Sequence, residues 1–271
     1  MGSGAGAAVG AAFFDLDKTI IAKSSTLAFS RPFQAGGLLS RRTLLRSAYT
    51  QFMYVLGGAD HDKMEEMRQF MSELVTGWDV ATVREIVADT LHHIVDPLVY
   101  DEAVQLIEDH KAAGRDVIIV SASGTEVVEP IGEMLGADHV IATRVGIDEE
   151  GRYTGEITFY AYAENKARAI RELAEQRGYD LSRSYAYSDS MTDLAMLEEV
   201  GYAFAVNPDK ELRRIATERG WPILVFTKPV ALRSAIALPA ARPTLAAIAV
   251  GGVVVAGGVL WASARRRRIG A

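Results

Sequence analysis

Cysteine is absent from all 271 residues. That absence excludes a disulfide framework, thiolate zinc ligation and a cysteine nucleophile. Histidine is scarce as well. His61, His92, His93, His110 and His139 show no metal-ligand spacing, and the adjacent His92 and His93 on a helical stretch point apart, so the five read as solvated or core side chains. The N-terminus has neither a basic n-region nor a long apolar h-region, which argues against a secretory signal. Its Gly- and Ala-rich residues 1–10 read as a flexible start. From residue 244 onward there is no acid. Setting Arg265, Arg266, Arg267 and Arg268 aside leaves 25 basic against 35 acidic residues. So acidic a body is a poor counterion for a phosphate backbone, and nucleic acid is excluded as the expected partner.

With 49% hydrophobic and 24% charged residues the chain can bury a core. Ala11–Asp15 (AAFFD) is an apolar run ending in a polar cluster, which reads as a buried strand. Residues 25–95 change texture. Apolar positions recur at helical spacing through Leu44, Leu45, Ala48, Phe52 and Val55, then Met64, Met67, Phe70, Met71 and Leu74, so a helical insert is expected. After Asp96-Pro97 come a helix over Val99–Ala113, a strand at Val117–Val120, and an antiparallel pair over 140–145 and 153–160. Further helices are expected over 166–176, 194–199 and 209–219, with strands at 185–187, 203–206 and 223–226. Strands alternating with helices imply an α/β fold built on a doubly wound parallel sheet.

Residues 229–243 hold three of the eight prolines and read as a linker. The following 19 residues, 244–262, carry no charge. About 20 apolar residues cross a hydrocarbon core roughly 30 Å thick, so this run is expected to be a transmembrane helix, followed by a basic tail over 263–271. Trp261 stands where an interfacial aromatic belongs. Ala247/Gly251 and Gly252/Ala256 have the small-xxx-small spacing that would let two such helices meet as a homodimer. The expected location is therefore a membrane, through a single C-terminal anchor with the rest of the chain in the cytoplasm.

Chemistry concentrates at the ends of the expected strands. Asp15-Leu16-Asp17-Lys18-Thr19 follows the first strand, and in an open parallel sheet ligands sit beyond the carboxyl ends of the strands. Ser121 closes the VIIV strand. Lys166 stands at the start of a helix in Ala-Glu-Asn-Lys-Ala, and Asp189 and Asp193 lie in Tyr-Ser-Asp-Ser-Met-Thr-Asp. In this order the four segments resemble the motifs of the haloacid dehalogenase (HAD) superfamily, and in particular its phosphoserine-phosphatase-like branch, subfamily IB. The resemblance covers residues 11 to about 226.

That resemblance implies a Rossmann-like HAD core over 11–24 and 96–228, with 25–95 as a small helical cap. It also implies a Mg²⁺-dependent phosphomonoester hydrolase acting on a small phosphorylated metabolite. Asp15 would be the nucleophile that forms an aspartyl-phosphate, and Asp17 the acid and base. Lys166 would neutralise phosphoryl charge. Thr19, Ser121 and the backbone of Ala122 would join Lys166 in binding the phosphate. Asp15, the carbonyl of Asp17, and Asp189 would hold the metal, with Asp193 behind them.

The chain departs from phosphoserine phosphatases in three places. Residues 20–25 (IIAKSS) carry no glutamate to hold an ammonium, Ala122-Ser123 stand where two glycines are usual, and the fourth motif lacks the usual Gly-Asp-Gly. Lys23, Arg31, Arg41 and Arg42 make the start of the insert basic. With the apolar tail they suggest an alternative substrate, a lipid head-group phosphate. A membrane-tethered binding module without catalysis is the remaining reading; it has no use for the second aspartate of the first motif.

Overall fold

In a computed structural model of the chain, the described residues are 9–39 and 61–227. All but the last two residues of the expected flexible start, the whole of the linker, the apolar run and the basic tail lie outside them, as do Arg41 and Arg42. Among the described residues no helix is long and apolar enough to cross a membrane.

Among the described residues seven strands form one sheet in the order β4-β3-β2-β1-β5-β6-β7. They are β1 (Ala12–Asp15), β2 (Val117–Gly124), β3 (His139–Ile147), β4 (Tyr153–Phe159), β5 (Tyr185–Ser188), β6 (Tyr202–Val206) and β7 (Ile223–Leu224). All neighbours pair in parallel except β3 and β4. Strand β1 is central, flanked by β2 and β5, so the strand order reverses beside it. A crevice opens at such a reversal, outside the carboxyl ends of the strands. Asp15 is the last residue of β1.

Successive side chains on a strand point to opposite faces. Ala12 and Phe14 enter one apolar cluster with Val117 and Ile119, while Ala11 and Phe13 enter a second with Ile118 and Val120. Both faces are covered by helices, which is why these strands read as continuous apolar runs. The first face carries α4 (Asp101–Ala112) and α5 (Thr125–Leu135). The second carries α6 (Glu164–Arg177), α7 (Leu194–Glu198) and α8 (Lys210–Arg219).

Helix α5 was not expected from the sequence. Pro130 lies inside it and Gly132 follows, two residues that score poorly as helix formers. Val127, Val128 and Ile131 bury its inner face all the same, so packing overrides propensity. Strand β2 also runs to Gly124, past the apolar VIIV stretch.

Between β1 and β2 lie the helices α1 (Ser25–Ala35), α2 (His61–Val75) and α3 (Val80–Ile94). The chain enters and leaves this insert side by side: Ile21 bridges Val99, Tyr100 N donates to Ile20 O at 2.9 Å, and Ala22 N donates to Leu98 O at 2.8 Å. The insert is also tied from above. Gly77 N donates to Tyr153 O at 2.8 Å and Tyr153 N to Trp78 O at 2.9 Å, so the β3–β4 hairpin grips it. Phe29, Phe33, Val83, Val87 and Leu91 belong to the same apolar cluster as Phe14, Val128 and Ile131. Insert and sheet therefore share one core.

Candidate active site

Each segment singled out in the sequence arrives at the carboxyl edge of the sheet. Asp15 ends β1, Ser121 is the fifth of the eight residues of β2, and Asp189 follows β5. Lys166 is the third residue of α6, two residues inside its start, and is buried. Its ammonium donates to Asp15 Oδ1 at 2.7 Å and to Asp193 Oδ2 at 2.9 Å. Ser188 Oγ donates to the same Asp193 oxygen at 2.7 Å. Asp193 Oδ2 thus accepts from a cation and a hydroxyl at once, which holds the lysine in place. Asp189 lies beside this group, with Lys18 Nζ at 3.9 Å from its Oδ2.

Burial dominates the protonation of the group. It pushes the Asp15 carboxyl well above the usual carboxylate range, against the pull of Lys166. It pushes Asp17 up as well, and Asp189 to about 7. On Lys166 burial acts downward, but Asp15 and Asp193 outweigh it and the ammonium is held above its ordinary value. Four acids, Asp15, Asp17, Asp189 and Asp193, against one buried lysine leave an excess of negative charge, which a cation or a protonating pH would relieve.

The chain turns sharply after Asp15. Lys18 adopts φ 61°, and Ile20 N and Ile21 N both donate to Leu16 O, at 2.9 and 3.1 Å. This turn brings Asp17 under the start of α1, where Ser25 N donates to Asp17 Oδ1 at 2.9 Å. Ser25 and Ser123 share a hydroxyl hydrogen bond of 2.7 Å, and Ser123 N donates to Ser121 Oγ at 3.2 Å. The first motif, the first insert helix and the β2 loop are thereby joined. Thr19 is fully buried, and its hydroxyl has no hydrogen-bond partner among the described residues. Buried polar groups are almost always paired. An orphan here is the kind of donor that an arriving anion would satisfy. Ala122 contributes its carbonyl to Thr143 Oγ1 at 2.7 Å.

Among the described residues no group of three or more acidic or histidine side chains encloses a metal. A hard cation bound by Asp15, Asp189 and a backbone carbonyl does not need one. Mg²⁺ keeps several waters and takes only one or two carboxylates besides substrate oxygens. The donor set fits that ion.

Sequence reasoning had no place for the hydroxyls of Ser25, Ser123 and Ser188, or for Asp209, whose carboxylate accepts from Met191 N and Leu212 N. A polar residue before a helix flags Asp209 as a cap. The three serines make contacts that carry no local signature.

A model of the haloacid dehalogenase-like hydrolases matches residues 12–198. The chain belongs to that family. A probable phosphatase of Mycobacterium tuberculosis is 59% identical over 257 residues, covering 94% of this chain and 89% of its own length. A protein of the same organism named phosphoserine phosphatase is 33% identical over 246 residues, covering 88% and 80%. Among solved structures, a substrate-bound phosphoserine phosphatase superposes with a TM-score of 0.58 at 18% identity, covering 83% of this chain and 96% of that one. At that identity the likeness concerns the fold alone. The matched region contains Asp15, Asp17, Thr19, Ser121, Lys166, Asp189 and Asp193.

Proposed function

We propose that the chain is a phosphoric monoester hydrolase working through a phosphorylated Asp15. One observation carries the reading: Lys166 binds Asp15 and Asp193 at once, beside Asp189, at the switch point of the sheet. Asp15 attacks phosphorus, and the bond to the ester oxygen breaks as an aspartyl-phosphate forms. Asp17 gives a proton to the departing oxygen. A water then attacks the phosphorus, Asp17 takes a proton from it, and inorganic phosphate leaves with Asp15 restored. The Lys166 ammonium offsets charge on the phosphoryl oxygens, and the hydroxyls of Ser121 and Thr19 with the backbone of Ala122 complete their cradle. Asp15, the Asp17 carbonyl and Asp189 would hold Mg²⁺, which would supply Lewis-acid stabilisation of the phosphoryl group when bound. The test is Asp15→Asn assayed on an aryl phosphate with Mg²⁺ and with EDTA. Loss of turnover in a folded variant is the expected result, and a variant as active as the wild type would sink the reading.

The substrate we propose is a small phosphorylated metabolite, as the relative named phosphoserine phosphatase suggests. A lipid head-group phosphate is the second reading. It is favoured by the charge-free run over 244–262, the four arginines behind it, and the absence of an acid in residues 20–25 to pair with an ammonium. That run would then anchor the enzyme on a membrane, and its small-residue spacing could pair two copies. Full-length protein and a form ending at Thr227 are to be compared on phosphoserine and on an anionic phospholipid monoester in vesicles. Faster turnover of the lipid by the full chain supports the second reading. Preference for phosphoserine in both forms removes it.

A further inference from the structure

Asp209 lies outside every motif, 20 residues beyond Asp189, and yet it touches that loop at two points. Its backbone N–H donates to the carbonyl of Asp189 at 2.8 Å. Its carboxylate is divided: Oδ2 accepts from Met191 N at 2.8 Å, and Oδ1 accepts from Leu212 N, also at 2.8 Å. The last bond caps helix α8. The first two bracket the Asp189-Ser190-Met191 segment from outside and fix the direction in which the Asp189 side chain leaves the backbone.

The turn that carries Asp209 is itself restrained. Asn207 takes φ 43°, an uncommon conformation for a residue with a side chain. Its amide pairs with both polar groups of Phe226, Nδ2 donating to Phe226 O and Oδ1 accepting from Phe226 N, each at 3.0 Å. Asp209 is therefore presented from a turn pinned by Phe226, two residues beyond the end of β7.

We infer that Asp209 is a positioning residue for Asp189, clasping the β5 loop so that its carboxylate faces the cation site. The inference rests on the metal reading given above. Outer partners of metal-bearing carboxylates fix ligand orientation, and their loss lowers metal affinity by about 10–100-fold.

A carboxylate accepts at both oxygens, whereas an asparagine amide offers one acceptor and turns a donor toward the second N–H. Asp209→Asn thus keeps one bond, and asparagine is as good a helix cap as aspartate. A residue that served only as a cap would tolerate that change. The experiment is a Mg²⁺ titration of the full chain followed by thermal unfolding, for the wild type, Asp209→Asn and Asp209→Ser. Serine also caps helices but has a single short acceptor that cannot span both amides.

Both variants are expected to melt within a few degrees of the wild type without Mg²⁺. Both should need about 10–100-fold more Mg²⁺ for half-maximal stabilisation. Half-saturation at the wild-type concentration in Asp209→Asn overturns the clasp while leaving the metal reading intact. A wild-type protein indifferent to Mg²⁺ overturns the metal reading, and the clasp falls with it.

Discussion

Lys166 Nζ stands 2.7 Å from Asp15 Oδ1, across 151 residues of chain, with both side chains buried. Removing one partner of a buried pair leaves an uncompensated charge, at about 3–5 kcal/mol. Lys166→Met is expected to destabilise the protein by up to that amount near neutral pH. The loss should shrink in acid, where the abandoned carboxylates take up protons. Urea unfolding at pH 5 and pH 8 measures it. Equal losses at both pH values would contradict the charge argument. Turnover should fall by at least about 10²-fold, the scale of losing one stabilising donor from a polar site.

Asp17→Asn should separate substrates by their leaving groups. Proton transfer is worth about 10²–10⁴-fold when the departing oxygen is basic. An alkyl phosphate should lose that factor in full. An aryl phosphate leaves without help in the first step, so its first-turnover release should be spared. Stopped-flow release of the aryl alcohol checks this, and an equal loss on both substrates would argue against Asp17 as the acid.

If Asp189 holds Mg²⁺ as proposed, it sets how the ion stabilises the fold. Burial raises its carboxyl from 3.8 to about 7. A group raised on folding contributes stability that is complete below its unfolded value and is lost as pH climbs through the folded one. The protein without a divalent cation should therefore weaken between about pH 4 and pH 7. Mg²⁺ needs the ionised carboxylate, so its melting-temperature shift should grow across the same range. Thermal scans at pH 5.5 and pH 8 test the sign. A larger shift at pH 5.5 would refute it.

His110 titrates in the opposite sense. Arg115 Nε donates to its Nδ1 at 2.7 Å, so the proton of the neutral ring sits on Nε2, 2.8 Å from the Tyr187 hydroxyl. Burial first, then the Arg115 charge, lower its value from 6.5 to about 4. A depressed group contributes stability above its unfolded value and loses it as pH falls. Stability should drop between pH 6.5 and pH 4. His110→Gln, which can keep one donor and one acceptor, should show a shallower acid limb in denaturant titrations. An unchanged slope would clear His110 of the effect.

Phe29 tests the shared core. It is fully buried on α1, inside the insert, yet it packs in the cluster that covers the sheet. Phe29→Ala should cost about 3–5 kcal/mol. Unfolding should remain a single transition by both fluorescence and circular dichroism. An insert that melts separately would show the core to be divided.

The sheet was readable because Phe13, Phe14 and Val117–Val120 are buried on both faces and leave unbroken apolar runs. Asp15, Ser121, Lys166 and Asp189 stood out because each follows such a run or starts a helix. Helix α5 was missed because Pro130 and Gly132 hide its apolar stripe. Strand β2 outran its expected end because Ser121–Gly124 are held by strand pairing rather than by hydrophobicity. The bond between Ser25 and Ser123 crosses 98 residues, and no local pattern encodes a contact of that span.

Strand β7 runs parallel to β6, so its end points the same way as the end of β1. Thr227 N, donating to Glu102 Oε1 at 3.0 Å, fastens the chain there before it departs. The described residues consequently end on the side of the sheet where Asp15 lies. Sixteen residues, 228–243, separate that point from the apolar run, and even fully stretched they extend roughly 55 Å. Were that run lodged in a bilayer, as the lipid reading proposes, the length of this linker would limit how far the enzyme could stray from the head groups. Encounter with an ester lying in that surface would then depend on its two-dimensional density, and dilution of the bulk solution would leave the rate unchanged.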